Sequence, residues 1–309
     1  GALPLMLQFH RFAGLPVRMM TLMLNGHSPE GGFLLDRPKQ NLAQLLEVLF
    51  ETRREWDVLH LGKLPGPFQE SYLKDLLQEK GFFVCCSESI KVPFTDTTGR
   101  WDEYYAGRPK KFRKGMRNKI NRMHRNGMMT IERLCDADLT PARMDEVFAV
   151  SLKSWKHRIG HAIPDNARVE RFYITLTSKL GPSGKVNLWF LRQKGKAIAF
   201  EYHVKHKGIV YPIRADFDEA YQLLSPGSVL EYFILKHLFH DPEIVGSNSC
   251  GQTYEYLMNW ATAVVEHVDF YVFHPEFLSR NLFVLQSRLI PFLRKTKSTC
   301  MNWNRGEMR

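Results

Sequence analysis

The sequence predicts a mixed α/β protein of two units, on three observations. Short apolar runs of strand length alternate with amphipathic segments of helix length along the chain. Three consecutive strand patterns between residues 186 and 216 are joined by the tight turns Lys194–Gly195 and Lys207–Gly208, which marks an antiparallel meander. A cationic segment from Arg108 to Arg125, with no acidic residue in it, divides 309 residues into two stretches, and that length allows two domains. An apolar content of 44% and a charged content of 24% supply ordinary cores rather than a disordered chain.

The first stretch offers strands over 3–9, 17–24, 57–61 and 82–92, with helical patterns over 39–53 and 68–80 between them. Glycines and prolines at Gly26, Pro29, Gly31 and Gly32, and at Pro65, Gly66 and Pro67, mark loops. In the cationic segment, Phe112, Met116, Ile120 and Met123 recur at helical spacing, so one face can pack while Lys110, Lys111, Arg113, Lys114, Arg117, Lys119, Arg122 and Arg125 face outward. A domain boundary is expected there. A strand over 128–134 follows, then a helix capped by Thr140 and Pro141 whose apolar face is Met144, Val147, Phe148, Leu152 and Trp155. A helix over 166–180 precedes the meander strands at 186–192, 196–205 and 208–216. The meander runs into Ser225–Pro226–Gly227 and a helix from Ser228 to Phe239, and strands over 243–248 and 264–273 complete the pattern. In the tail, Leu282, Leu285 and Leu289 form one stripe beside Arg288, Arg294, Lys295 and Lys297, interrupted by Pro291. A docked helix or a helix on a membrane surface fits it.

The net charge of +11 draws anionic partners without choosing among phosphates, nucleic acid, an acidic carrier protein and a membrane. Five cysteines, Cys85, Cys86, Cys135, Cys250 and Cys300, have no metal-type spacing, and a reducing cytoplasm fits them. No apolar run is long enough for a spanning helix. The missing initiator methionine suggests a chain that begins partway through a longer product or was processed. His157 and His161 have i, i+4 spacing but no following glutamate, and His237 and His240 share a helix face without an acidic or thiol ligand, so no metal is expected and a solvated face is the reading for the latter pair.

The strongest chemical signal is Ser225–Pro226–Gly227–Ser228 with Val229. A helix N-terminus offers unpaired N–H groups and partial positive charge, and glycine allows an anion close to the backbone, although such residues are also ordinary capping. Glu201 and His203 share one strand face by period two, and either could remove a proton from an acceptor; a polar, partly exposed strand face is the competing reading. Asp218 suits a turn as well as substrate binding.

From about Pro109 to Phe273 the sequence resembles the GNAT-related CelD/BcsL group of cellulose and exopolysaccharide biosynthesis, itself similar to the Fem-type transferases. The resemblance is carried by Lys110–Lys111–Phe112–Arg113–Lys114, by Ala215–Asp216–Phe217–Asp218 with Leu224–Ser225–Pro226–Gly227 following, and by Tyr256 with Trp260. Leu257 stands where a lysine commonly follows that tyrosine. The resemblance implies tandem GNAT-like units, each a mixed, largely antiparallel sheet flanked by helices, the first incomplete: residues 1–107, a basic helix at 108–127, an acyltransferase domain at 128–275 and a tail at 276–309. It further implies an acyl-CoA or acyl carrier protein thioester as donor, bound at Ser225, Gly227, Ser228 and Val229, and an amine or hydroxyl acceptor on a sugar, amino acid or polyamine. Glu201, His203, Asp218 and Tyr256 are then the catalytic candidates, Tyr256 as the acid for the leaving thiolate. The alternatives are a Fem-like transferase using aminoacyl-tRNA and a non-catalytic partner in polysaccharide assembly. A cytoplasmic protein, peripheral to the inner membrane if the basic surface binds there, is expected.

Overall fold

The computed structural model describes residues 1–12, 14–35, 38–251 and 253–289. In chain order the elements are β1 (Leu5–Phe12), β2 (Leu15–Leu22), α1 (Pro38–Glu51), β3 (Val58–Pro65), α2 (Pro67–Glu79), β4 (Phe83–Asp96), α3 (Trp101–Ala106), α4 (Lys110–Arg125), β5 (Met129–Cys135), α5 (Pro141–Ser151), α6 (Ala167–Leu180), β6 (Val186–Gln193), β7 (Lys196–His206), β8 (Ile209–Phe217), α7 (Pro226–Leu238), β9 (Gly246–Asn248), α8 (Glu255–Met258), β10 (Ala263–Phe273) and α9 (Phe277–Val284). The architecture is mixed α/β with largely antiparallel sheet flanked by helices, as the sequence predicts. Two units divide the chain, one formed by residues 1–91 and 265–309 and the other by residues 92–264.

In the first unit the strand order is β1-β2-β3-β10-β4. Strands β1 and β2 form an antiparallel hairpin, β2 and β3 run parallel, and β3 pairs antiparallel with β10. Leu42, Leu46 and Leu49 of α1 and Leu73 and Leu77 of α2 bury against Leu59, Leu61, Leu64 and Phe270. Burial of an aliphatic side chain of this size contributes about 1.5–3 kcal/mol. Arg18 donates to the Asp57 carboxylate from its backbone N–H at 2.7 Å and from its guanidinium at 2.8 and 3.3 Å. The C-terminal stripe is a docked helix as far as the described residues go, with Leu282 buried; Pro291, Arg294, Lys295, Lys297 and Cys300 lie outside them.

In the second unit the order is β9-β8-β7-β6-β5, with the end of β4 antiparallel to β9. The meander holds: β5, β6, β7 and β8 are antiparallel to their neighbours. Side chains alternate faces along a strand, and β6 sends Leu188 and Phe190 into a core with Met144, Val147 and Tyr173 of α5 and α6. It sends Trp189 and Leu191 into another with Met116, Met123, Val229 and Ile234 of α4 and α7. The basic helix is therefore part of this unit rather than a connector. Its apolar face occupies that core, and the division falls at residues 92 and 264 rather than near 107 and 275. Helix α5 ends at Ser151, so Leu152 and Trp155 are 40% and 44% exposed instead of continuing its buried face.

Strands β8 and β9 are parallel and pair only at Ile209 with Gly246 and Val210 with Ser247. Beyond that β9 stops and β8 continues to Phe217, so a wedge opens between them. Gly246 is required at its closed end, because an added Cβ would lie 2.2 Å from the Phe94 ring.

Candidate active site

The chain enters α7 through Ser225, which holds left-handed φ 56° and ψ 52° before Pro226 fixes the first helical position. The Val229 N–H donates to the Ser225 carbonyl at 3.2 Å, and the Val229 side chain is buried. Val229 thus serves the core, and of the residues expected to meet phosphate it leaves Gly227 and Ser228, whose amides have no backbone acceptor among the described residues. An added Cβ at Gly227 would touch only Phe217, at 3.8 Å. Helix α4 brings cations to this end: Lys119 donates to Ser228 Oγ at 3.0 Å and Arg122 to the Leu223 carbonyl at 2.6 Å. Burial, then repulsion from Arg122, lowers the Lys119 pKa. Two positive side chains and a helix N-terminus converge, a setting that favours an anion.

Glu201 and His203 lie on β7 and are 5% and 2% exposed, so the strand face is buried rather than solvated. A register shift between Tyr202 and His203 against β8 interrupts the ladder between them. His203 Nε2 and Glu201 Oε2 are 2.9 Å apart. Burial pushes the Glu201 carboxyl up to about 8, while burial and then Arg133 push His203 down to about 3. The imidazole is therefore neutral at physiological pH, and the Glu201 carboxyl, which holds its proton there, is the stronger base of the two once ionised. A second carboxyl, Glu231 on α7, sits within electrostatic range of Glu201; burial and then that neighbour hold its pKa well above the usual carboxylate range. The sequence carried a signal for Glu231 in its i, i+3 and i+7 spacing to Ile234 and Leu238, a lone carboxyl on an apolar stripe.

Tyr256 on α8 is 60% exposed and stacks on Tyr254 at 6.0 Å rather than packing in a core. Partial burial of its phenol, then the Glu231 and Glu201 carboxyls, raise its pKa. Glu201, Glu231, His203 and Tyr256 thus form one electrostatic cluster. Asp218 is engaged elsewhere: it caps the turn after β8 by accepting from the Ala220 N–H at 3.1 Å and pairs with Lys196 at 3.2 Å. Its turn-forming role is the one the structure shows. His237 is half-buried against Arg133, at 2.9 Å, and Trp189, which corrects the expectation of a solvated face. His203 also lines a cavity of about 10 Å³, at the lower limit for holding one water, with Arg133, Asn187 and Lys205. A wider cleft of about 530 Å³ is lined by Asp96, Arg100, Glu103 and Tyr104 and contains none of the expected site residues.

Residues 110–245 match the family model described as "Acetyltransferase (GNAT) domain". This segment has the GNAT-type fold. No curated protein matches the chain. Among solved structures the chain is similar to FemX, at 12% identity and a TM-score of 0.61 over 90% of this chain and 85% of that one. It is also similar to the C-terminal domain of a candidate lysylphosphatidylglycerol synthetase from Agrobacterium fabrum, at 15% identity and 0.59 over 92% and 89%. A conserved protein of unknown function from Bacteroides thetaiotaomicron matches at 13% and 0.58 over 83% and 79%. These likenesses show the fold. Among the described residues no helix is long and apolar enough to cross a membrane, and no three His, Cys, Asp or Glu side chains converge as a metal site requires.

Proposed function

We propose that the second unit transfers an acyl group from a thioester donor, acyl-CoA or an acyl carrier protein, to an amine or hydroxyl acceptor. The observation that carries this is the wedge between β8 and β9 ending beside the N-terminus of α7, with Lys119 and Arg122 at that end. An extended pantetheine fits an unpaired strand edge, and its diphosphate fits the Gly227 and Ser228 amides and those cations. The bound donor would supply an activated acyl carbon. The chain's own residues manage protons: Glu201 with Glu231 accepts the proton of the attacking amine, and the Tyr256 phenol gives one to the departing sulfur. Mass spectrometry of the purified protein, with calorimetric titration of CoA, tests the acyl-CoA donor, and native-gel mobility with an acyl carrier protein tests the other; failure of all three removes the reading.

A second reading is a Fem-like transfer from aminoacyl-tRNA. It draws on the likeness to FemX and on α4, whose cations form no ion pair among the described residues. Co-purified RNA would favour it. The exopolysaccharide role, a non-catalytic assembly partner and attachment to an anionic membrane are narrower proposals within the same charge pattern.

A further inference from the structure

A buried cation cluster stands beside the open edge of β8, on residues 151–166 and on β8 itself. The Asp218 N–H donates to the Ile198 carbonyl at 2.8 Å. Because peptide groups alternate along a strand, those of Ala215 and Phe217 point to the side that β9 leaves open. The Lys156 Nζ donates to the Ala215 carbonyl at 2.7 Å, so its ammonium sits on that open edge. It also meets Asp216 Oδ1 at 2.5 Å. Asp216, whose side chain is fully buried, is held on its other oxygen by Arg214 at 2.8 Å and Ser151 at 2.7 Å. Arg214 in turn donates to the His161 carbonyl at 2.8 Å, tying the connection between α5 and α6 to β8.

Three cations, Lys156, Arg158 and Arg214, stand with three carboxylates, Asp165, Asp216 and Glu219. The donors are not used up: Lys156 has two partners for three protons, and Arg214 Nη1 has none among the described residues. Lys156 is largely buried, with its side chain 23% exposed, so its attraction for an anion is little screened by water.

We propose that Lys156 and Arg214 bind a carboxylate on the acceptor, making the acceptor of this site an amino acid-like primary amine. The inference rests on the acyl-transfer reading for its placement: a carboxylate held at Lys156 puts an α-amine two bonds away at the open edge of β8, where the donor's acyl carbon would lie. The exposed ring of Trp155 on the same connection offers an apolar surface for a side chain. Transfer balances as follows. The ammonium loses one proton, the amine nitrogen forms a bond to the acyl carbon as the carbon–sulfur bond breaks, and the amine's second proton ends on the thiolate. One proton per turnover is released.

The test uses the whole protein and three probes of one shape, L-phenylalanine, L-phenylalaninamide and phenethylamine. Binding is read by saturation-transfer NMR without donor, and transfer from acetyl-CoA and octanoyl-CoA is measured separately. Phenylalanine should bind about 10- to 100-fold more tightly than the other two, the range of a charge-assisted pair. Lys156→Met, checked for folding by thermal denaturation, should collapse that preference, and Lys156→Arg should keep most of it. Equal binding of acid and amide by the unmodified protein overturns the inference whether or not the variants fold. Preference surviving in a folded Lys156→Met protein does the same. Transfer to phenethylamine without selective phenylalanine binding leaves acyl transfer standing and the inference fallen. Selective binding without transfer from either thioester leaves the carboxylate site standing and removes the acyl-transfer reading.

Discussion

Gly227 separates capping from anion binding because its added Cβ meets only the Phe217 ring at 3.8 Å. Gly227→Ala should therefore leave the protein as stable or gain up to about 1 kcal/mol, the usual difference between the two residues in a helix. Gly227→Glu puts a carboxylate at a helix N-terminus, where it is tolerated electrostatically, but in the space assigned to a diphosphate. Its melting temperature should match the parent's while its CoA affinity falls at least 10-fold; parental affinity in calorimetry would return this turn to simple capping. Asp216 has the opposite character. Its carboxylate is enclosed by Lys156, Arg214 and Ser151, and Asp216→Asn leaves two cations uncompensated. A loss of about 3–5 kcal/mol is expected from such a buried pair, to be read from denaturant unfolding; a loss below 1 kcal/mol would mean the cluster is better hydrated than its burial implies.

The same residues show where local pattern runs out. Period two placed Glu201 and His203 on one face, and the structure keeps them together at 2.9 Å. Their burial was not legible, since it comes from α7 packing over β7, and no local pattern distinguishes a covered polar face from a wet one. Asp216 was visible inside a motif but without its partners, which arrive from Lys156, sixty residues away. Asp218, two residues further, also accepts from the nearby Ala220 N–H, and that capping role could be read directly.

Among elements, α4 illustrates how charge can mislead about boundaries. Its cationic run suggested a connector, yet Met116 and Met123 are buried and the helix is part of the second unit's core. What the run does determine is the surface. Lys111, Lys114 and Arg117 are exposed and form no ion pair among the described residues, whereas Arg113 is occupied by the Arg108 carbonyl. Reversing the three exposed charges should leave the melting temperature within about 2 °C, since surface substitutions rarely exceed 0.5 kcal/mol. Affinity for a polyanion such as tRNA should fall, with the logarithmic salt slope reduced by about 2–3 units if all three touch phosphate. An unchanged slope in fluorescence anisotropy would make the helix a solvated face. The short β9 has the complementary lesson: a strand was expected over 243–248, and only Gly246–Asn248 pairs, because the open wedge needs the strand to stop.

At the scale of the whole molecule, buried titratable groups set the pH dependence of stability. His203 is held near 3 against an ordinary 6.5, so its contribution is full above 6.5 and is lost as pH falls towards 3; His237 and His274 are shifted the same way by burial. Glu201 is held near 8 against an ordinary 4.5, so its contribution is full below 4.5 and is lost as pH rises to 8, with Glu231 in the same direction. The two sets oppose each other between 4.5 and 6.5, and above 6.5 the carboxyls act alone, so stability declines from there towards pH 8. Glu201→Gln should flatten the alkaline side, melting several degrees above the parent at pH 8.5 and close to it at pH 5. An equal alkaline decline in both proteins would show that Glu201 ionises without penalty. In turnover the same carboxyl should give a limb that rises through about pH 8 and disappears in the variant.

Where β9 stops, β8 is left with a ladder only at Ile209 and Val210 on that side. A strand with one vacant edge is a template for any extended backbone, and proteins ordinarily shield such edges against self-association. An amide-bearing ligand laid along it would behave as a surrogate strand. The peptide hydrogens of Ala215 and Phe217 should then exchange with deuterium rapidly in the unliganded protein and slow down on saturation, while those facing β7 change little. The same edge makes solubility a function of occupancy: stored without ligand, the protein should associate through β8 more readily than when saturated.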